Sequence, residues 1–203
     1  MYEDNPIGML HSELPILILT VALNLSTAGT LSPKTASLVV RDIDGQGHNL
    51  FGLGVKVAVL FFITDDCPIS NSYAPEINRI VADYTPRGIA FYAVYADRSI
   101  SIAEIKQHAK EFNLRLPLIE DAKHRLVDMV GATVTPETAV LGPEGTVFYR
   151  GPIDDVYIDF GKRRPAATRS YLRNALEAIL SGKPIATPSI KPIGCFIPFT
   201  RQD

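Results

Sequence analysis

Residues 61–73 have the sequence FFITDDCPISNSY, in which an apolar run ends, a short acidic turn follows and a cysteine directly precedes a proline. The apolar run begins at residue 55, and a continuous series of this kind predicts a central strand buried on both faces. Proline is favoured at the first position of a helix, so Pro68 predicts a helix start capped by Cys67. The stretch therefore predicts a strand, a turn and a helix, with one thiol at the junction.

The predicted position of Cys67 favours a reactive thiol. Backbone N–H groups and the positive end of the helix dipole stabilise a thiolate at a helix N-terminus, and the thiolate is the nucleophilic form of cysteine. Asp65 and Asp66 oppose ionisation, because a further negative charge beside them is unfavourable. The balance between these effects stays open, and Cys67 is the candidate nucleophile.

Short strands and amphipathic helices alternate on both sides of this stretch. Strands are expected at residues 38–41, 55–63, 89–95, 116–119, 137–141 and 146–150, and helices at 69–84 (kinked at Pro75), 101–112, 122–130 and 168–181. This order predicts an α/β fold in which helices flank a central mixed sheet on both faces. After residue 183 the proline-rich tail is expected to be extended and to lie over the domain.

Two motifs resemble the active site of the thioredoxin superfamily. Residues 67–70 (CPIS) are similar to its active-site motif with the second cysteine replaced by serine, and residues 134–141 (VTPETAVL) are similar to its cis-proline loop and the strand that follows. The resemblance covers residues 36–182 and extends to the redoxin (AhpC/TSA-like) domains of exported bacterial proteins. It implies a thioredoxin-like fold.

The same resemblance implies the residues of a substrate site. Thr135 and Pro136 would lie against Cys67, with a cis bond between them, and the backbone of Thr135 would pair with an extended substrate chain. Pro68 and Ser70 would complete the substrate-binding surface. This chemistry requires that the Cys67 sulfur be accessible beside the cis bond.

Ser70 stands where the family has its usual resolving cysteine, and Cys195 supplies the other thiol of the sequence. Gly194 and the prolines of the tail would allow Cys195 to fold back toward Cys67. Three interpretations stay open: a redox pair of Cys67 with Cys195, an inert structural disulfide between them, and an unpaired Cys195.

The resemblance implies a thiol–disulfide oxidoreductase that uses Cys67 as nucleophile and Cys195 as the candidate resolving thiol. The substrate would be a protein or small-molecule thiol or disulfide, and a separate electron donor would be needed. No organic cofactor and no metal are expected. Glu137, after the cis-proline, is interpreted as an exposed carboxylate at a strand edge, with proton transfer near Cys67 as the alternative.

Two other functions are alternatives. Thr64 and Cys67 match the Thr-x-x-Cys part of the peroxiredoxin pattern, in which the hydroxyl orients a peroxide, but Leu60 replaces the expected proline and no arginine stands in the Thr135 loop. A copper-binding or non-catalytic module is the third possibility. The residue four positions after Cys67 is Asn71 rather than cysteine, so a Cys-x-x-x-Cys copper site is not present.

Composition and the N-terminal segment bound the remaining possibilities. The 203 residues include 20 Lys and Arg against 22 Asp and Glu, so a nucleic-acid partner is not expected. Residues 1–35 have no Lys or Arg before Lys34 and contain an apolar run at 14–23. They predict a cleaved signal peptide, with an uncleaved anchor or a packed helix as alternatives. The protein is thus expected to be periplasmic or secreted, and to touch a membrane only through an uncleaved segment.

Overall fold

The computed structural model describes residues 37–52, 54 and 57–197. The expected export segment, residues 1–35, and the last six residues of the tail lie outside the described residues. Within those that are described, no helix combines the length and the apolar character that a membrane crossing requires.

Strands and helices alternate along the described chain. The strands are β1 (Leu38–Arg41), β2 (Gly47–Phe51), β3 (Ala58–Ile63), β4 (Ala90–Tyr95), β5 (Leu118–Glu120), β6 (Val134–Thr135), β7 (Glu137–Leu141), β8 (Val147–Gly151), β9 (Tyr157–Asp159), β10 (Lys162–Arg163) and β11 (Cys195–Phe196). The helices are α1 (Pro68–Ser72), α2 (Ala74–Tyr84), α3 (Ile102–Glu111), α4 (Arg125–Val130) and α5 (Tyr171–Leu180).

The central sheet has five strands in the order β5-β4-β3-β7-β8. Strand β3 runs parallel to β4 and antiparallel to β7, so the sheet is mixed. All six residues of β3 are buried, as its continuous apolar sequence predicts. The central strand therefore ends at Ile63, and a three-residue turn leads from it to Cys67.

Alternate side chains of β3 enter two different cores, because successive residues of a strand point to opposite faces. Val59, Phe61 and Ile63 pack on the face covered by α2, α3 and α5. Leu60 and Phe62 pack on the other face, with residues of β2 and α4. Helices on both faces of a mixed sheet confirm the predicted fold class.

The helix after Cys67 is broken rather than kinked. Helix α1 ends at Ser72, Tyr73 caps both helices, and α2 begins at Ala74. Pro75 lies in the first turn of α2, where a missing backbone N–H costs no hydrogen bond. The proline therefore separates a short helix that carries the thiol from a longer helix that packs in the core.

Two helices begin later than their sequence patterns predict. Helix α4 starts at Arg125 because His124 has a left-handed backbone (φ 52°), and the Asp121 carboxylate accepts the N–H groups of Leu126 and Val127. Helix α5 starts at Tyr171. The preceding N–H groups of Thr168 and Arg169 donate to Asp155, which holds them in the loop.

Candidate active site around Cys67

Cys67 lies at the end of β3 and caps α1. Its backbone is extended (φ −86°, ψ 107°), and its sulfur accepts the N–H of Ser70 at 3.5 Å. The thiol donates to the carbonyl oxygen of Thr135 at 3.1 Å. The sulfur is therefore held between the first turn of a helix and the loop before β7.

The Thr135–Pro136 peptide bond is cis, as the family resemblance implied. The bond separates β6 from β7 and places the Thr135 carbonyl over the Cys67 thiol. The hydroxyls of Thr64 and Thr135 lie 3.1 Å apart and hydrogen-bond to each other in a buried position. The Thr64 hydroxyl thus fastens the loop to the end of β3.

The tail brings Cys195 to the same place. Strand β11 pairs antiparallel with β6, and Cys195 lies opposite Thr135. The Cys195 side chain packs against the apolar cluster that contains Cys67, and both cysteines are free thiols. Burial raises the pKa of Cys195, and the nearby Cys67 sulfur and Asp66 carboxylate raise it further. Cys195 is therefore protonated at neutral pH.

Gly194 allows the tail to approach this closely. A Cβ at this position would lie 2.3 Å from the carbonyl oxygen of Thr135, well inside contact distance. Since the obstacle is backbone, no rotation of a neighbouring side chain would relieve it. The residue before Cys195 must therefore lack a side chain for β11 to pair in this register.

The expectation of an accessible sulfur is wrong for this arrangement. Cys67 has 0% of its surface exposed and belongs to the apolar cluster that contains Ile69 and Tyr73, with Cys195 packed against that cluster. Burial follows from contacts that the local sequence does not encode, since Thr135 and Cys195 are both distant along the chain. Reagents reach this sulfur only after part of the covering structure moves.

The other predicted site residues differ in exposure. Pro68 is exposed beside the thiol, whereas Ser70, Thr135 and Pro136 are buried. The Ser70 hydroxyl is buried and has no hydrogen-bond partner among the described residues. Of the proposed substrate-binding residues, only Pro68 thus presents a surface in this state.

A buried polar chain behind the loop was not identified from the sequence. The Tyr95 hydroxyl lies 2.7 Å from Nδ1 of His108, and Nε2 of His108 lies 2.9 Å from Oδ1 of Asn71. The Asn71 side-chain NH₂ donates to the backbone carbonyl of Asp65 at 2.7 Å. These hydrogen bonds therefore join α3 to Asp65, which lies two positions before Cys67.

These contacts fix the protonation of His108. Because the Asn71 amide nitrogen donates to Asp65, its oxygen must accept, and Nε2 of His108 carries the proton. Nδ1 then accepts from Tyr95. Burial lowers the pKa of His108, which agrees with a neutral imidazole. A signal existed in the sequence: His108 lies three residues after Ile105 on the buried face of α3.

The interpretation of Glu137 as an exposed carboxylate is also wrong. Its side chain is 1% exposed and accepts the N–H of Thr133 at 2.7 Å, and Arg150 Nε lies 3.4 Å from its other oxygen. This carboxylate holds the segment just before β6, so it supports the cis-proline loop. None of its hydrogen bonds is with Cys67.

The described residues offer little to a metal ion. No group of three or more His, Cys, Asp and Glu side chains converges as ligands in this part of the chain. His124 is fully buried, and its Nε2 contacts the carbonyl of Ala96 at 2.8 Å. Within the described residues, Cys67 and Cys195 are thus not joined by a third His, Cys, Asp or Glu ligand.

Comparison with known proteins gives a family and a fold. The sequence model of the AhpC/TSA family matches residues 33–150. Among curated proteins there is no match. Similar solved structures include a hypothetical protein from Sinorhizobium meliloti, which is 26% identical over 82% of this chain and 92% of its own, with a TM-score of 0.68.

Two further structures have the same fold. An uncharacterized conserved protein from Geobacillus kaustophilus is 24% identical over 83% of this chain and 92% of its own, with a TM-score of 0.69. A structure from Chlorobium tepidum assigned as the thiol:disulfide interchange protein DsbE is 18% identical over 72% of this chain and 94% of its own, with a TM-score of 0.55. These likenesses show that the fold is thioredoxin-like.

Proposed function

The chain belongs to the AhpC/TSA family, and from this premise we propose that it is a thiol–disulfide oxidoreductase with Cys67 as nucleophile and Cys195 as resolving thiol. The observation that carries the proposal is the pairing of β11 with β6, which places Cys195 opposite Thr135, the residue that Cys67 contacts, and against the same apolar cluster as Cys67. Of the three interpretations of Cys195, the unpaired thiol fits this placement least. An inert disulfide fits poorly with two free thiols.

In the reducing direction the reaction has two exchanges. The Cys67 thiolate attacks one sulfur of a substrate disulfide, the substrate S–S bond breaks, and the leaving substrate thiolate takes up a proton. Cys195 then loses its proton to solvent and attacks the Cys67 sulfur of the mixed disulfide. The Cys67–Cys195 bond forms, the second substrate thiol leaves, and two electrons have passed to the substrate. A dithiol donor restores the free thiols, and oxidation of a substrate dithiol is the reverse sequence.

The surroundings of the two sulfurs support these roles. The Ser70 N–H points at Cys67 and stabilises its thiolate. The raised pKa of Cys195 keeps that residue protonated, so it does not compete for the substrate disulfide before the first exchange. Thr64, Thr135 and Pro136 fix the loop, and exposed Pro68 is the surface that a substrate meets first.

The peroxidase alternative receives less support. Its Thr64 hydroxyl would have to orient a peroxide, yet this hydroxyl hydrogen-bonds with Thr135 in a buried position. No arginine contacts Cys67 in the hydrogen bonds of the described residues, so the guanidinium that would assist both thiolate and peroxide is missing there.

The proposal includes a location and a domain division. The apolar run at residues 14–23 supports export to the periplasm or the exterior, where protein disulfides persist and serve as substrates. Residues 36–182 would form the redoxin domain, and residues 183–203 a tail that supplies Cys195. N-terminal sequencing of protein purified from a bacterial envelope would locate the cleavage, and an uncleaved, membrane-bound chain would favour the anchor.

Thiol mapping by mass spectrometry tests the two-thiol mechanism. After treatment with a mild disulfide oxidant we expect a peptide pair linked through Cys67 and Cys195, which disappears on reduction with dithiothreitol. Cys195→Ser is the matched control, because it keeps Cys67 and cannot form the link. A stable sulfenic acid on Cys67, with Cys195 still free after hydrogen peroxide, would instead identify a peroxidase.

A further inference from the structure

The tail occupies the strand edge that an extended substrate would need. Cys195 pairs with Thr135 and Phe196 with Val134, and the N–H of Ile197 donates to the carbonyl of Thr133 at 3.0 Å. Three successive tail residues therefore follow β6 as a strand. An edge of β6 accepts one strand at a time, because each backbone group pairs once in this direction.

Side chains fix the register of the tail on β6. Gly194 fits against the Thr135 carbonyl only because it has no Cβ, and Ile197 is 2% exposed in the apolar cluster on the α4 face. Phe196, between the cysteine and this anchor, is 81% exposed. The edge of β6 thus requires a glycine directly before the cysteine and an aliphatic residue two positions after it. It places no requirement on the residue between them.

Burial of Cys67 follows from the same arrangement. With β11 in place the sulfur has no exposed surface, and Cys195 packs against its cluster. A protein substrate whose chain pairs with Thr135 must therefore meet a site from which β11 has departed. Residues 194–197 are held on β6 by two strand residues, one glycine fit and one aliphatic anchor. Residues 188–190 are held separately, by backbone hydrogen bonds with Arg150 of β8, so the end of the tail can leave β6 while the rest stays in place.

We propose that the tail and the substrate chain exchange on the edge of β6, so that the resolving step also displaces the product. This inference rests on the proposed function and names its substrate class: an extended polypeptide disulfide with a glycine before the cysteine and an aliphatic residue two positions after it. Tail departure opens Cys67, the substrate strand takes the edge, and Cys67 forms the mixed disulfide.

Return of the tail completes the cycle. Cys195 gives its proton to solvent and attacks the Cys67 sulfur, the bond between Cys67 and the substrate breaks, and the substrate sulfur leaves and is protonated. As the Cys67–Cys195 bond forms, β11 takes back the hydrogen bonds of the substrate strand. Disulfide exchange and strand exchange are then one event.

Two substitutions in a Cys195→Ser background test the access step. In this background Cys67 is the single thiol of the chain, and its rate of alkylation by iodoacetamide reports opening. Gly194→Ala places a Cβ against the Thr135 backbone and is expected to raise the rate at least about tenfold, equivalent to about 1.4 kcal/mol. Ile197→Ser removes the aliphatic anchor and should act in the same direction.

Gly47→Ala is the matched control. Its Cβ would meet only Val39 Cγ1, at an ordinary 3.6 Å, so alkylation of Cys67 should be unchanged. Circular dichroism of each variant checks that the domain is folded. Equal alkylation rates in folded Gly194→Ala, Ile197→Ser and the Cys195→Ser parent would overturn the inference.

A peptide disulfide probes the exchange step in chains that retain Cys195. The probe carries residues 192–197 (PIGCFI), disulfide-linked through its cysteine to 2-mercaptoethanol, and a matched probe has valine in place of glycine. We expect the glycine probe to react at least about tenfold faster with Gly194→Ala protein, and its mixed disulfide to persist longer there than in the unsubstituted chain. Equal rates for both probes would overturn the substrate class.

The failure of this inference is distinguishable from that of the proposed function. If 2-hydroxyethyl disulfide, which has no chain to pair with β6, oxidises the unsubstituted protein to the Cys67–Cys195 form, the proposed function stands even when the peptide probes show no preference. If neither the small disulfide nor the peptide ever produces that linkage, the function and the inference both fail.

Discussion

Cys67 and Cys195 face each other, but the two regions that carry them are built differently. Cys67 follows a six-residue strand that is buried along its whole length, and its sulfur is held by α1 and the cis-proline loop. Cys195 lies in a two-residue strand of the tail and is partly exposed. One thiol is thus part of the core, and the other lies on a short strand near the end of the described chain.

This difference assigns unequal tasks to the two thiols. A nucleophile needs fixed donors around it, and these come from elements that the core holds in place. A resolving thiol must arrive after the substrate has bound, which requires a segment of low local stability. The site therefore combines a thiol beside a fully buried strand with a thiol on a two-residue strand of the tail.

The largest effect is expected when the thiol of Cys67 is removed. Cys67→Ser should reduce disulfide-exchange activity to the uncatalysed background, because a serine hydroxyl does not form a disulfide bond. Insulin reduction with dithiothreitol as electron donor measures this loss, with a folded Cys67→Ser protein as the requirement. Activity retained by Cys67→Ser would show that Cys195 acts alone and would reverse the roles of the two regions.

Removal of the Cys195 thiol should have a smaller effect on activity, and it should affect a different step. Cys195→Ser still forms the mixed disulfide, but external thiol must resolve it. A tethered thiol acts at an effective concentration on the order of millimolar, so with micromolar external thiol resolution should slow by roughly a thousandfold. Non-reducing mass spectrometry would detect the trapped adduct, and millimolar dithiothreitol should rescue turnover. Unchanged turnover at micromolar thiol would remove Cys195 from the mechanism.

The hydrogen bonds of His108 with Tyr95 and Asn71 are expected to stabilise the region around Cys67. His108→Leu leaves the Tyr95 hydroxyl and the Asn71 oxygen without their buried partner, which should lower the free energy of unfolding by about 1–3 kcal/mol. Urea unfolding measures the change. Gln107→Leu, an exposed neighbour on the same helix, should stay within about 0.5 kcal/mol. If both substitutions lowered the free energy of unfolding equally, the hydrogen bonds of His108 with Tyr95 and Asn71 would not be a support of the site.

The smallest expected effect is a pH dependence of stability. Burial lowers the folded-state pKa of His108 below its unfolded value of about 6.5, although the charges of Asp65 and Glu111 partly oppose this. The unfolded chain then binds a proton that the folded chain does not. The stability that neutral His108 gives to the folded state is therefore complete above about pH 6.5. As the pH falls below this value, the free energy of unfolding decreases by at most about 1.4 kcal/mol per pH unit for one proton.

Urea unfolding at pH 7.0 and 5.5 measures this slope. His108→Leu should have a shallower slope than the parent over the same interval, because the titrating group is gone, whereas Gln107→Leu should keep the slope of the parent. Parallel profiles for all three proteins would contradict a neutral, buried His108.

The sequence predicted what depends on neighbouring residues. The continuous apolar run specified β3, Pro68 specified the start of α1, and the helix predicted from residue 101 is α3, whose start is capped by Ser101 and Glu104. The cis bond before Pro136 came from resemblance, since a proline alone does not specify its isomer.

Contacts made by individual polar side chains were harder to predict, whether the partner is near or far along the chain. The burial of Cys67 depends on Thr135 and the tail, and the burial of Glu137 depends on the N–H groups of Thr133 and Val134 and on Arg150. Helices α4 and α5 start later than predicted because of Asp121 and Asp155. The carboxylates of these residues accept backbone N–H groups near the predicted helix starts.

The unpartnered hydroxyl of Ser70 gives this scaffold a simple route to redesign. A buried hydroxyl without a partner costs about 1–3 kcal/mol, and a thiol has a much weaker need for hydrogen bonds. Ser70→Cys would therefore exchange an unfavourable group for a second sulfur on the helix that Cys67 caps. Such a protein would hold both sulfur atoms within the first turn of α1, so the second thiol would no longer depend on the pairing of β11 with β6.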